Sequence, residues 1–263
     1  MKKFIADIKK FWNYTVYSAK ADLKSEVAGS FLSWLWWILD PLLYMLVYSF
    51  VAVIVFGSGE PYFPVFVFIG LNTWQFFAKT IRGSVKLVSG KKSIVTKVYI
   101  PKFMFLLEKI GLYGFKMLVS FALTVVFMIF YRVPVTFRVL WIVPLWILLG
   151  IVTFALSTII CHFGVFVEDL LNVVTVALQL GMYLSGIFYS IETRIGRHSQ
   201  LIASLLTKCN PIALIIADSR RVLIYGQDPH YYALLAWFIV GLAISAIGVK
   251  IIYKYENSYV KII

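Results

Sequence analysis

Asp40 and Pro41 stand side by side in the apolar stretch WLWWILDPLLYML, residues 34–46. A carboxylate in hydrocarbon costs about 3 kcal/mol or more unless it is wetted, paired or protonated. The proline removes a helical hydrogen bond. The pair therefore predicts a bent helix whose acid either faces a hydrated path or is bonded to a neighbouring helix.

Other residues that suggest reactions fail on spacing. SGKKS, residues 89–93, resembles the end of a phosphate-binding loop, G-x-x-x-x-G-K-[ST]. Aligned on Gly90 and Lys91, it has Val85 where the first glycine permits the turn and Lys92 where a hydroxyl would bind magnesium. The chain is not expected to hydrolyse ATP. His162, His198 and His230 form no H-E-x-x-H or other paired metal spacing, so no metal is expected. No G-x-S-x-G elbow occurs, and the carboxylates, Glu168 and Asp169 among them, are too dispersed for paired acid catalysis. Binding and movement fit better than covalent chemistry.

The elements that hold these residues are apolar throughout. Of 263 residues 61% are hydrophobic, 17% aromatic and 14% charged, and the mean hydropathy is +0.88. Those values lie outside the soluble range and predict one integral membrane domain, residues 1–263. The net charge of +13 sits beside apolar runs, where orientation and anionic lipid account for it without nucleic acid. Cys161 and Cys209 make no disulfide framework. The N-terminal stretch shows no signal peptide.

Six apolar runs predict transmembrane helices at about 31–57, 62–82, 106–131, 139–165, 170–191 and 231–252. The long connection 192–230 holds two patches, 201–206 and 212–216, each too short to cross and separated by Asn210-Pro211. They predict two short helices dipping into one face of the bilayer. Lysines crowd the N-terminal segment, the second connection and the tail, so both termini are expected in the cytoplasm.

Residues 1–30 carry Phe4, Ile8, Phe11 and Trp12 on a near-helical period with lysines opposite. This is an amphipathic helix, lying either in the membrane interface or on protein. In the second connection, 84–101, Leu87, Ile94 and Val95 alternate with Lys86, Lys91, Lys92 and Lys97. A short amphipathic helix is expected after Gly90 and before Pro101, serving as a contact for a soluble partner or as a basic turn that fixes topology.

Four segments in order resemble the type-2 ABC transporter permeases that export polysaccharide, O-antigen or teichoic acid. DLKSEVAGSFLSWLWWILDPLL is similar to that family's first span, through Ser30, Leu32, Trp36 and Pro41. YFPVFVFIGLNTWQFF matches at Gly70 and Trp74, LVSGKKSIVTKVYIPK at Val98, Tyr99 and Pro101, and CNPIALIIADSRRVLIYG at Asn210, Pro211, Arg221 and Gly226. The chain departs from the family's pattern at Glu26, Val27, Ser33 and Asp40.

The resemblance implies a multi-pass permease of the bacterial cytoplasmic membrane. It would dimerise with itself, pair with two nucleotide-binding ATPase subunits, and move an undecaprenyl-linked glycopolymer outward. ATP and magnesium would be bound by the partner, leaving this chain without a cofactor. It further implies that the N-terminal helix is a gating helix, that 84–101 is the coupling loop, that 192–230 is an extracellular re-entrant segment, and that the first and fifth spans line the path. On that path Trp37, Asp40, Tyr44 and Tyr48 would meet Tyr183, Phe188 and Tyr189, with Trp34 and Trp36 nearby. Spaced 7 and 4 residues apart, Trp37, Tyr44 and Tyr48 share one helical face and offer flat rings and hydroxyls to sugars. Competing readings are a permease for a small lipid or drug, a membrane glycosyl- or acyltransferase, and a membrane scaffold.

Overall fold

The computed structural model describes residues 2–28, 35–50 and 60–262. Trp34, Ser30, Leu32, Ser33 and both ends of the expected 31–57 span lie outside the described residues. Helices account for the described architecture. They are α1 (Lys2–Ala28), α2 (Trp36–Phe50), α3 (Phe63–Val85), α4 (Leu87–Gly90), α5 (Lys92–Val95), α6 (Phe103–Phe130), α7 (Ile142–Phe166), α8 (Leu170–Leu184), α9 (Ile191–Arg194), α10 (Gln200–Cys209), α11 (Pro211–Leu223) and α12 (Tyr231–Ile262).

Three helical stretches are long and apolar enough to cross a membrane: Phe103–Phe130, Phe137–Phe166 and Tyr231–Tyr259. The second includes the 3-10 turn Phe137–Trp141. The protein is therefore a multi-pass membrane protein, with each of these helices satisfying its own backbone in hydrocarbon. The other expected spans take different forms. At 15 residues, α2 and α8 reach about 22 Å, against a hydrocarbon thickness of about 30 Å. α8 stops at Leu184 because the chain turns at Gly186, whose φ of 64° suits glycine. α3 has the length, but Asn72, Gln75 and Lys79 reduce its apolar character.

α3 is the hub, packed on α2, α6, α7, α8 and α11 and buried along most of its length. Three of its polar groups are satisfied inside the fold: Thr73 and Thr80 donate to the carbonyls four residues back, and Asn72 donates to the Met117 carbonyl of α6 at 3.2 Å. α7 and α12 pair along their lengths. Gly248 permits that approach, because a Cβ there would strike Thr158. His162 of α7 joins the same contact, sharing a 2.7 Å hydrogen bond with the Tyr259 hydroxyl of α12.

The two patches before the last helix become α10 and α11, which meet at 102° across Asn210. The Asn210 side chain accepts the Ile212 and Ala213 N–H groups, while Pro211 occupies a position that needs no donor. In the second connection the expected single helix is instead two one-turn helices, α4 and α5. Lys91 breaks them apart at φ −106°, ψ 24°, and α4 already begins at Leu87, before Gly90.

Candidate functional site

The expected path residues fall into two groups on α2. Tyr44 stacks on Tyr48 with centroids 6.3 Å apart, and Tyr48 meets Phe188 at 4.1 Å. One turn of helix separates the tyrosines, so this ladder follows directly from their spacing. Phe188 arrives from the turn after α8, where the Tyr189 hydroxyl donates to the Tyr183 carbonyl at 2.8 Å and closes the chain on itself. Tyr44 and Tyr183 are both more than half exposed.

Trp37 and Asp40 sit elsewhere on α2, at a cavity of about 280 Å³ between α1, α2, α3 and α6. Trp37 packs edge-on against Phe115 at 6.0 Å and lies 5.7 Å from the Lys116 ammonium. Asp40 shares the cavity with Lys79, Gln75, Asn72, Lys116 and Ser120. Lys116 is engaged by Glu26 of α1. Pro41 is buried at the same wall, and α2 continues through it. Lys79, Lys116 and Ser120 belong to no motif and stand far from Asp40 along the chain. Their convergence on Asp40 has no signal in local spacing, because α3 and α6 each contribute through a tertiary contact.

The loop residues divide by side. Leu87 and Val95 are buried with Val88, Phe103 and Phe105, and Ile94 packs against that cluster. Lys86, Lys92 and Lys97 are exposed. Lys91 turns inward to the fully buried Glu108 of α6, with the Ser18 hydroxyl of α1 at 3.5 Å. Alternation of apolar and basic residues thus places one set inside and three lysines outside, while Lys91 belongs to the interior.

α1 lies against protein. Phe4 meets Phe103 at 4.9 Å, and Ile8 and Phe11 pack on the same cluster, whereas Trp12 is half exposed. Asp22 bonds Lys109 at 2.9 Å, and that hydrogen-bonded cation holds the carboxyl below its usual range although partial burial opposes it. Glu26 pairs with Lys116 two turns further along α6. An acid ladder on α1 therefore faces a basic ladder on α6, and the loop joins both through Lys91.

At the other end of α3, Arg220 of α11 is buried without a carboxylate. It donates to the carbonyls of Phe66, Gly186 and Ile187 at 3.1, 2.7 and 2.6 Å, and its guanidinium lies 3.4 Å from the Phe66 ring centroid. Gly70 makes room, since a Cβ there would stand 2.7 Å from the guanidinium. Beside it Asp218, also buried, accepts from the His230 backbone at 3.0 Å and lies 2.6 Å from the His230 ring nitrogen. Nothing in the local sequence marks Arg220 as buried, since it stands beside Arg221 in the run ADSRR, residues 217–221. Among the described residues no group of His, Cys, Asp and Glu is arranged to hold a metal.

No family model matches the chain. Two proteins of Klebsiella pneumoniae, both named O-antigen export system permease protein RfbA, are 27% and 26% identical over 244 residues, 92% of this chain and 92% of each relative. A protein of the same name from Myxococcus xanthus is 24% identical over 93% of each chain. Along nine-tenths of its length the protein is thus similar to O-antigen export permeases, the type-2 ABC permease family that its four motifs resemble.

Proposed function

We propose that the chain is the membrane subunit of an ATP-driven exporter that moves a lipid-linked polysaccharide outward across a bacterial cytoplasmic membrane. The observation that carries this reading is the end-to-end similarity to proteins named as O-antigen export permeases. In this reading two copies of the chain form the pathway, and two nucleotide-binding subunits supply hydrolysis with their own ATP and magnesium. The polymer is an O-antigen or teichoic acid on an undecaprenyl carrier. Both termini and the 84–101 loop face the cytoplasm. Six segments cross, α2, α3 and α8 among them, sheltered by the longer helices around them, and α10 with α11 forms the re-entrant segment on the far side.

Each part of the site has a role in that cycle. The ATPase docks on the exposed Lys86, Lys92 and Lys97, a basic surface suited to an acidic partner. Lys91 passes its displacement to α6 and α1 through Glu108 and Ser18. α1 then moves as the gate at the mouth of the path, and the sugar chain slides past the faces of Tyr44, Tyr48 and Phe188. The permease makes and breaks no covalent bond.

The test is co-expression with candidate soluble ATPases, purification through a tag on this chain, and an assay of lipid-linked polymer retained on the inner leaflet. Wild type should bring down one ATPase, and Lys92→Glu with Lys97→Glu should release it without unfolding the permease. Tyr48→Ala should keep the ATPase and slow export about tenfold, the equivalent of about 1.4 kcal/mol. Failure of every ATPase to co-purify, together with normal export after the double charge reversal, would exclude this function.

A further inference from the structure

The first turns of α12 and the end of α10 border a cavity of about 520 Å³, whose lining includes Lys208, Tyr231, Tyr232, Ala233, Ala236 and Trp237. That volume lies within the range of small-molecule sites. Tyr231–Tyr259 is one of the three stretches apolar enough to cross a membrane, so its first residues mark the level of the lipid headgroups. Lys208 is anchored deeper. Its carbonyl accepts the Trp237 indole N–H at 2.7 Å, and Trp237 stands about 9 Å along the helix from Tyr231. The indole N–H is thus spent on protein and fixes the back wall of the cavity.

The Lys208 ammonium makes no hydrogen bond or ion pair among the described residues, and no carboxylate lines this cavity. The acids nearby are engaged elsewhere. Asp218 holds His230, Glu192 in the adjoining cavity lies 3.9 Å from both His230 and Arg221, and Asp228 is bonded by Arg138. Apolar surface flanks the lysine. On α10 it shares one helical stripe with Leu201 and Leu205, 68% and 51% exposed, and on α12 Leu235 and Ile239 are 58% and 60% exposed. Ala233 and Ala236 keep the floor between the two helices open. These features narrow the occupant. A free anion would leave that floor uncovered, and a bare hydrocarbon chain would leave Lys208 without a counter-charge. A choline or ethanolamine head would bring a second cation to Lys208 with no carboxylate to receive it.

We infer that this cavity binds one anionic membrane phospholipid, with Lys208 on its phosphate, the exposed Tyr232 beside the head, and an acyl chain laid over Ala233 and Ala236. Basic pockets between membrane helices suit such heads, and the long lysine stem crosses apolar surface to reach them. The lipid bridges α10 and α12 and so braces the break at Asn210 against the last helix. The site is separate from the Asp40 cavity and from the Tyr44–Tyr48–Phe188 ladder. It requires a membrane around the chain and is independent of the export function.

The test is native mass spectrometry of the full chain, delipidated in detergent and titrated with dioleoyl phosphatidylglycerol, with dioleoyl phosphatidylcholine as the matched competitor. One phosphatidylglycerol per chain should stand above the uniform background of weakly held lipid. Lys208→Met is expected to weaken that binding about fivefold. Ala236→Phe, which fills the floor and leaves the charge in place, should weaken it as well. Lys208→Arg should retain it, and an unchanged melting temperature in all three variants shows that the fold survives. Binding that is unchanged in Lys208→Met, or equal for the two lipids, would overturn the assignment. Stronger binding of phosphatidylcholine would overturn it in favour of an aromatic cage for a quaternary ammonium. Displacement by millimolar inorganic phosphate would do so in favour of a free-anion site, and absence of any lipid above background would leave no site at all.

Discussion

Arg220 and Lys91 each carry a cation into protein, at opposite ends of α3, and they meet different partners. Arg220 is held by three main-chain carbonyls, whereas Lys91 is held by the side-chain carboxylate of Glu108. Carbonyls neither titrate nor change with sequence, so the Arg220 end joins α3, α11 and the 186–187 turn into one fixed body. A lysine on a carboxylate can part and re-form, and Lys91 sits where the loop, α1 and α6 converge. One end of the molecule is stapled and the other is linked.

The largest expected effect is at the staple. Arg220→Met leaves three buried carbonyls without a donor and should cost about 4 kcal/mol, seen as a fall in melting temperature and in yield of folded protein. Arg220→Lys should recover only part, since one ammonium cannot serve three acceptors in the geometry of a guanidinium. An unchanged melting curve for Arg220→Met would remove the contrast.

Next comes the link. Lys91→Met leaves Glu108 buried and unpaired and should cost about 3 kcal/mol, while the exchange Lys91→Glu with Glu108→Lys should return part of the loss in a double-mutant cycle. No exchange of side chains can rescue Arg220, which is the sharpest form of the comparison. If the Lys91 and Glu108 changes prove additive, the pair does not couple the loop to α6.

A smaller effect is expected at the α7–α12 seam. Gly248→Val drives a side chain into Thr158 and should cost about 2 kcal/mol by overpacking, read as a lower midpoint of thermal unfolding. Gly90→Ala, where a Cβ meets nothing, is the matched control.

The smallest effect is a pH dependence. The Arg138 guanidinium hydrogen-bonds Asp228 at 2.7 Å and holds its carboxyl below the ordinary range. A depressed folded value contributes stability above the unfolded value near 3.8, and that contribution is lost as pH falls through the lower folded value. Both groups are exposed, so Arg138→Gln should change melting slightly at pH 6 and not at all at the acid limit. A difference that persists at low pH would assign the effect to packing.

Much of the helical layout was legible in the residues. Proline and asparagine at 210–211 set the break between α10 and α11, and apolar runs marked the long helices near their observed limits. α8 fell short of the expected 170–191 because the turn at Gly186 depends on packing against Arg220. The tyrosine spacing on α2 gave the ladder's own contact, but Phe188 joins it through folding. Asp40 was legible as a polar point that needed company; its company was not.

The sequence by itself determined that this is a helical membrane protein, which segments are apolar, that Asn210 and Pro211 interrupt them, and most of the apolar face that the loop would bury. These are short-range matters of periodicity and backbone chemistry. Only the tertiary structure decided that Lys79, Gln75 and Ser120 surround Asp40, that Lys91 turns inward to Glu108, and that Arg220 finds carbonyls 33, 34 and 154 residues away. The physical reason is that a buried polar group is defined by its partners, and partners supplied by other helices leave no periodic trace in the residues around it.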